Sequence, residues 1–299
     1  MNTPEKEATE RQKVLQTQLD RAFFLLDEAE ETQDPGNAFD ILLDLATLPA
    51  TDDDETHVIR RTAQFTLGEL YWNGHFTAQD DKRAIYWYTM AGENGHPLAQ
   101  FWLGNAYCTG QRAEQDHERA MYWYQKAAKQ NVAWAQYHLA IYLSSGDQPD
   151  LPQALQWMEK AAKSDVVEAM IYVVQAYRNG LGCAKNDEIA DAMEVDILNR
   201  HRDSFLKDAR ICLSIVREML PGGNFRQDVP NAVSLLVSPV LQSNVEAQLL
   251  LYDLSGKVPL DDNIRNQAFT NLVRLSQTNE RARSCVRLIQ LQGRNGTKG

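Results

Sequence analysis

Cysteine is scarce in this chain. Its 299 residues hold four, Cys108, Cys183, Cys212 and Cys285, far apart, with no C-x-x-C pair and no paired histidine beside them. That spacing excludes a disulfide-stapled scaffold and a structural zinc finger, and reads as reduced, mostly buried thiols. The six histidines show no H-x-x-x-H or H-E-x-x-H spacing, so no metal site is expected. Long apolar runs are missing too. Nothing approaches the roughly 20 residues of a membrane span, and the opening MNTPEKEATERQKV has no apolar stretch behind a basic start. The expectation is a cytoplasmic chain with no membrane partner. There is no G-x-S-x-G elbow for a nucleophilic serine. The tail QGRNGTKG lacks both the spacing of a phosphate loop and a strand before it, and reads as a frayed end. Catalytic residues and cofactors are accordingly expected to be none.

Basic excess is also absent. The net charge is −11, and residues 1–57 carry all of it: 15 Asp/Glu against 4 Lys/Arg, leaving 26 of each sign in residues 58–299. No basic stripe is available for phosphate contacts, which argues against nucleic acid. The acidic segment suits either a solvated cap or docking to a basic surface on another protein.

What the chain does have is a repeated phrase. Aligned on Ala63, Ala99, Ala135 and Ala169, it reads AQFTLGELYWNG, AQFWLGNAYCTG, AQYHLAIYLSSG and AMIYVVQAYRNG, at offsets of 36, 36 and 34 residues. A second phrase follows each, as in DDKRAIYWYTMAGENG and DHERAMYWYQKAAKQN. Ala63, Leu67, Gly68 and Tyr71 fall on one side of a 3.6-residue helix, as do Ala84, Trp87, Tyr88 and Ala91, so each unit is a helix hairpin. Small residues at Ala63 and Gly68 leave room for a neighbouring helix. An acceptor side chain recurs four residues before the alanine of each second helix, at Asp34, Asp80, Asp116, Asp150, Asn186 and Asp228, where an N-cap belongs. Acid pairs such as Asp80 with Asp81 therefore read as caps. Gly74, Gly110, Gly146 and Gly180 mark the turns between helices.

A hairpin of this size cannot bury its apolar stripe alone and becomes stable by stacking on copies of itself. The expected fold is all-α, a solenoid of stacked antiparallel hairpins. Residues 1–57 form an acidic N-terminal helical cap, 58–200 the clear repeats, and 201–299 degenerate repeats with a C-terminal cap. The end helices span about 11–32 and 279–292, with boundaries good to a few residues.

The phrases A-Q-F-x-L-G-x-x-Y-x-x-G and D-x-x-R-A-x-Y-W-Y-x-x-A resemble the Sel1-like repeat family, a relative of the tetratricopeptide repeats, most closely over 63–131. The resemblance implies a right-handed α-solenoid that mediates protein–protein contacts, often as a bacterial adaptor, regulator, secreted factor or immunity protein. Disulfide-rich members have been linked to β-lactam chemistry, but their Cys pair in each repeat is missing here. The leading expectation is a non-enzymatic scaffold holding a segment or domain of another protein. The alternatives are an immunity protein that covers a basic toxin surface with its acidic cap, and a hydrolase with a site between repeats.

The six tryptophans divide by register. Trp87, Trp123 and Trp157 occupy one equivalent, structural position. Trp72, Trp102 and Trp134 lie about 140°, 260° and 220° around the helix from Leu67, Leu103 and Leu139, opposite the packing seam. In tetratricopeptide-like arrays that face lines a concave groove, and the resemblance implies the same here. Phe65, Glu69, Phe101 and Asn105 would share the groove with these indoles. So would Tyr137 and His138 and, further along, Tyr172, Gln175 and Arg178. Aromatics of this kind dominate protein interfaces. The Phe65, Phe101 and Tyr137 column also suits packing between units.

Overall fold

The computed structural model describes residues 3–27, 34–49, 54–145, 148–200, 207–220, 223, 225, 228–257 and 262–296. Among these the chain is all-α, and within each of its two units most helices adjacent in sequence pack on one another as antiparallel hairpins. The chain divides into two compact units, 1–150 and 151–299. The division falls inside the 58–200 segment expected from the sequence to hold the clear repeats.

The first unit holds α1 (Thr3–Leu26), α2 (Pro35–Ala46), α3 (Asp54–Asn73), α4 (Asp81–Glu93), α5 (Pro97–Thr109), α6 (His117–Lys129) and α7 (Ala133–Ser144). The second holds α8 (Leu151–Lys163), α9 (Val167–Asn179), α10 (Asp187–Arg200), α11 (Ala209–Met219), α12 (Val229–Leu236), α13 (Val245–Lys257), α14 (Asp262–Leu275) and α15 (Glu280–Gly296). Gly146 and the acidic residues Glu28, Glu30, Glu31, Asp52 and Asp53 lie outside the described residues.

Capping sets where the second helices begin. The carboxylates of Asp34, Asp80, Asp116 and Asp228 accept from the backbone N–H three residues on, at 2.9–3.1 Å, and the Asn186 side-chain oxygen does the same from Ile189 at 3.0 Å. Asp150 directly precedes α8. Gly74, Gly110 and Gly180 take positive φ of 70°, 67° and 74°, the left-handed turn that only glycine enters without cost.

Inside the α3–α4 and α5–α6 hairpins the seam is closer than alanine would allow. A Cβ added at Gly68 would sit 2.5 Å from the Tyr88 ring, and one at Gly104 2.5 Å from the Tyr124 ring. Between hairpins, a buried glutamine acts as a tie. Gln64 Nε2 donates to the Ala46 carbonyl at 2.9 Å and its Oε1 accepts from Asn94 at 2.9 Å. Gln100 repeats this with the Gly92 carbonyl and Gln130, both at 2.8 Å. Gln248 in α13 makes the same pair of bonds, with the Leu241 carbonyl at 3.0 Å and Asn271 at 3.1 Å. Gln136 donates to the Ala128 carbonyl at 3.2 Å, but its buried Oε1 has no partner among the described residues. In the fourth hairpin Met170 takes the glutamine's place.

Candidate protein-binding groove

α5 and α7 contain no Asp, Glu, Lys or Arg. A helix apolar all round belongs inside a protein, yet α7 leaves Trp134 43% exposed, Ile141 38% and Tyr142 37%. At about 100° per residue, Trp134, Tyr137, His138, Ile141 and Tyr142 cover one broad face of α7.

Aromatic contacts connect this face to the two preceding first helices. Trp72 at the end of α3 meets Trp102 of α5 at 6.1 Å between ring centres, and Trp102 lies 5.5 Å from Phe101. Phe101 reaches His138 of α7 at 6.2 Å, and His138 lies 6.4 Å from Trp134 and 5.3 Å from Tyr137. Tyr137 packs edge-on against Trp134 at 5.8 Å. The second helices support the row from behind. Tyr88 lies 5.6 Å from Trp72, and the Tyr124 ring stacks on His138 at 5.1 Å with planes 14° apart. Burial pushes the His138 pKa below the usual imidazole range and those of Tyr88 and Tyr124 above the usual phenol range, so all three rings stay uncharged at neutral pH.

Of Trp72, Trp102 and Trp134, expected to be surplus to internal packing, Trp134 is exposed and the other two are not. Trp72 and Trp102 are half-buried and pack against the cluster of Phe65, Tyr88, Leu103 and Trp123. The Arg112 guanidinium covers the Trp72 ring at 4.2 Å while donating to the Trp72 carbonyl at 2.6 Å and pairing with Asp81 at 3.1 Å. The physical reason is lateral contact. A helix in a stack has neighbours at its sides as well as across its seam, so a residue 140° from the seam still meets the next first helix.

Other expected groove residues divide in the same way. Phe65 is buried, stacked on His96 at 4.2 Å, and belongs to the core. Asn105 is half-buried and accepts from the Tyr124 hydroxyl at 2.6 Å. Glu69 is half-buried, its pKa raised by burial, and lines a separate cleft with Leu26, Asp27, Asn73, His75 and Phe76. Tyr172, Gln175 and Arg178 lie on α9 in the second unit. There Gln175 donates to Glu218 at 3.0 Å, and Arg178 pairs with Asp191 and Glu194 at 2.8 and 2.9 Å. Ile141 and Tyr142 were missed from sequence. Their signal was available in the uncharged run AWAQYHLAIYLS, which has more apolar residues than one seam can bury.

Among the described residues, no three His, Cys, Asp or Glu side chains gather where a cation could be held, and no helix is long and apolar enough to cross a membrane. The four cysteines are free thiols.

Residues 62–96, 97–132 and 135–166 each match the family model described as Sel1 repeat. No curated protein matches the chain. Its fold is similar to the crystal structure of a Sel1 repeat protein from Oxalobacter formigenes, 24% identical with a TM-score of 0.55, covering 72% of this chain and 84% of that one. It is also similar to c5321, a protective antigen of uropathogenic Escherichia coli with an SLR fold, 18% identical with a TM-score of 0.55, covering 98% of this chain and 68% of that one. The immunity protein Pa5087 of Pseudomonas aeruginosa aligns at 19% identity with a TM-score of 0.43, over 77% of this chain and 84% of that one. The recurring caps, seam glycines and glutamine ties of residues 62–166 thus coincide with three consecutive matches to the Sel1 repeat.

Proposed function

We propose that the protein is a non-enzymatic scaffold that binds a segment of another protein along the aromatic face of α5 and α7. The observation that carries this reading is the exposed, charge-free face of α7, headed by Trp134. Interface cores are depleted in charge and enriched in Trp and Tyr, and exposed apolar patches on soluble proteins mark contact sites. The row of half-buried rings behind Trp134 holds it in place, which lowers the entropy cost of binding. Phe101, Trp102, Tyr137 and His138 form the floor, and Trp134, Ile141 and Tyr142 make the contact.

The test is a titration of the purified partner, first isolated by affinity capture from the native host, against wild type, Trp134→Ala and the control Tyr86→Ala. Tyr86 is 56% exposed on α4, one of the second helices. Trp134→Ala should weaken binding about tenfold or more, the magnitude of an interface hot spot, with helicity unchanged and the control at wild-type affinity. Equal affinities for all three would remove the groove assignment.

A second reading, an anti-toxin or immunity role in which a basic partner docks on the N-terminal region, rests on charge. All the excess negative charge lies in residues 1–57, and in the cleft beside α1 the carboxylate of Glu69 joins that of Asp27.

A further inference from the structure

The fourth hairpin contains a cavity where its predecessors have an indole. Counted from the N-cap, position seven of the second helix is Trp87, Trp123 and Trp157 in three successive hairpins, and Met193 in the next. In the second hairpin Trp123 lies over Gly92, against Leu103 and beside Gln100; a Cβ built on Gly92 would be 3.1 Å from the Trp123 ring, 3.1 Å from Leu103 and 3.5 Å from Gln100. In the first, Trp87 packs against the cluster containing Ala46 and Leu67, the counterparts of Gly92 and Leu103. The corresponding residues at the fourth hairpin are Met193, Val173 and Met170, with Ala162 of the preceding helix α8. All four line one cavity of about 290 Å³ within the second unit. The cavity is the indole slot of the repeat, vacated by the change from Trp to Met.

We infer that this slot is a binding site for an uncharged planar aromatic ring of indole size, supplied in trans. Its volume is at the small end of ligand sites, which run from about 300 to 1,000 Å³. Its walls are aliphatic and thioether groups, and methionine sulfur packs favourably against aromatic rings. Glu159, whose carboxylate accepts from the Tyr177 hydroxyl at 2.7 Å, also lines it and has spare acceptor capacity for a ring N–H. The two carboxylates and two cations among the lining residues balance, so the site favours a neutral ligand. The ring can belong to a tryptophan of a polypeptide or to a free small molecule; the chemistry recognised is the same. The site is separate from the α5–α7 groove and does not depend on it.

The test is ligand-observed NMR and calorimetry on the full chain with three probes: indole, indole-3-acetate and N-acetyl-L-tryptophanamide. Saturable one-to-one binding is expected, with Kd of roughly a millimolar or tighter for a ligand of this size. Tighter binding of the amide than of indole would assign the site to a polypeptide tryptophan. Tighter binding of indole or its acetate would assign it to a free small molecule. Met193→Trp restores the residue that Ala46 already accommodates in the first hairpin, so it should fold, raise the melting temperature and weaken binding at least tenfold. Met193→Phe serves the same purpose should the larger ring disturb folding. Trp134→Ala should leave binding unchanged. No saturable binding of any probe, or binding that persists undiminished in both Met193 variants, would overturn the inference.

Discussion

His96 is the residue whose chemistry most directly couples the fold to solution conditions. It is the N-cap of α5: its Nδ1 accepts from the Ala99 backbone N–H at 3.2 Å, and only the neutral ring can do so. Burial, reinforced by the nearby Arg61 charge, pushes its pKa from 6.5 down to about 4. The folded state therefore binds this proton less readily than the unfolded chain. The stability from this group is complete above pH 6.5 and is lost as pH falls from 6.5 toward 4. Denaturant unfolding at pH 7.5 and pH 5 should show a drop in stability that His96→Asn reduces, because asparagine caps without titrating. The slope that remains belongs partly to His138, also shifted downward by burial. From sequence, Phe65 read as a column residue with two possible fates. What decided between them is its stacking on His96, a pairing between residues 31 positions apart that no local pattern encodes.

At the scale of the helix, the repeat was legible because small residues and aromatic rings recur at fixed spacing. Gly68 and Gly104 each accommodate a tyrosine ring, and at the next equivalent positions the sequence has Ala140 and Met158. Gly68→Ala ought to gain about 1 kcal/mol of helix propensity, but its Cβ would enter the Tyr88 ring. Overpacking costs about 1–3 kcal/mol, and a Cβ 2.5 Å from the ring puts it at the upper end, so the variant should be destabilised by up to about 2 kcal/mol net. Adding Tyr88→Met should recover most of the loss in a double-mutant cycle read by thermal unfolding. The glutamine ties were visible as Ala-Gln dipeptides at 63–64, 99–100 and 135–136, and the same dipeptide recurs at 247–248. What hid that recurrence is position 252, where a tyrosine stands in place of the seam glycine and the stripe no longer matches its predecessors.

For the whole molecule, the excess negative charge lies in residues 1–57 while α5 and α7 carry no charged residue, and this separates the two binding readings experimentally. A basic partner on the N-terminal acidic region is held by forces whose range shrinks from about 10 Å at 0.1 M salt to about 3 Å at 1 M. Its affinity should fall steeply between 50 and 500 mM NaCl. A partner on the uncharged face of α5 and α7 should bind with nearly constant affinity over the same range, as isothermal titration at several salt concentrations would record. The division into units at residue 150 was not legible, because it reflects the balance of long-range packing and no residue type announces it. One further consequence comes from the unpartnered oxygen of Gln136. α7 is fastened to its predecessor by half a tie, so among the hairpins secured by glutamine it is the one whose opening sacrifices least. Its outward face is also the one carrying Trp134. A guest seated there clamps the least secured of the glutamine-tied helices, and its arrival should be felt as slower amide exchange in α7 before anything changes in α3 and α5, whose ties are complete.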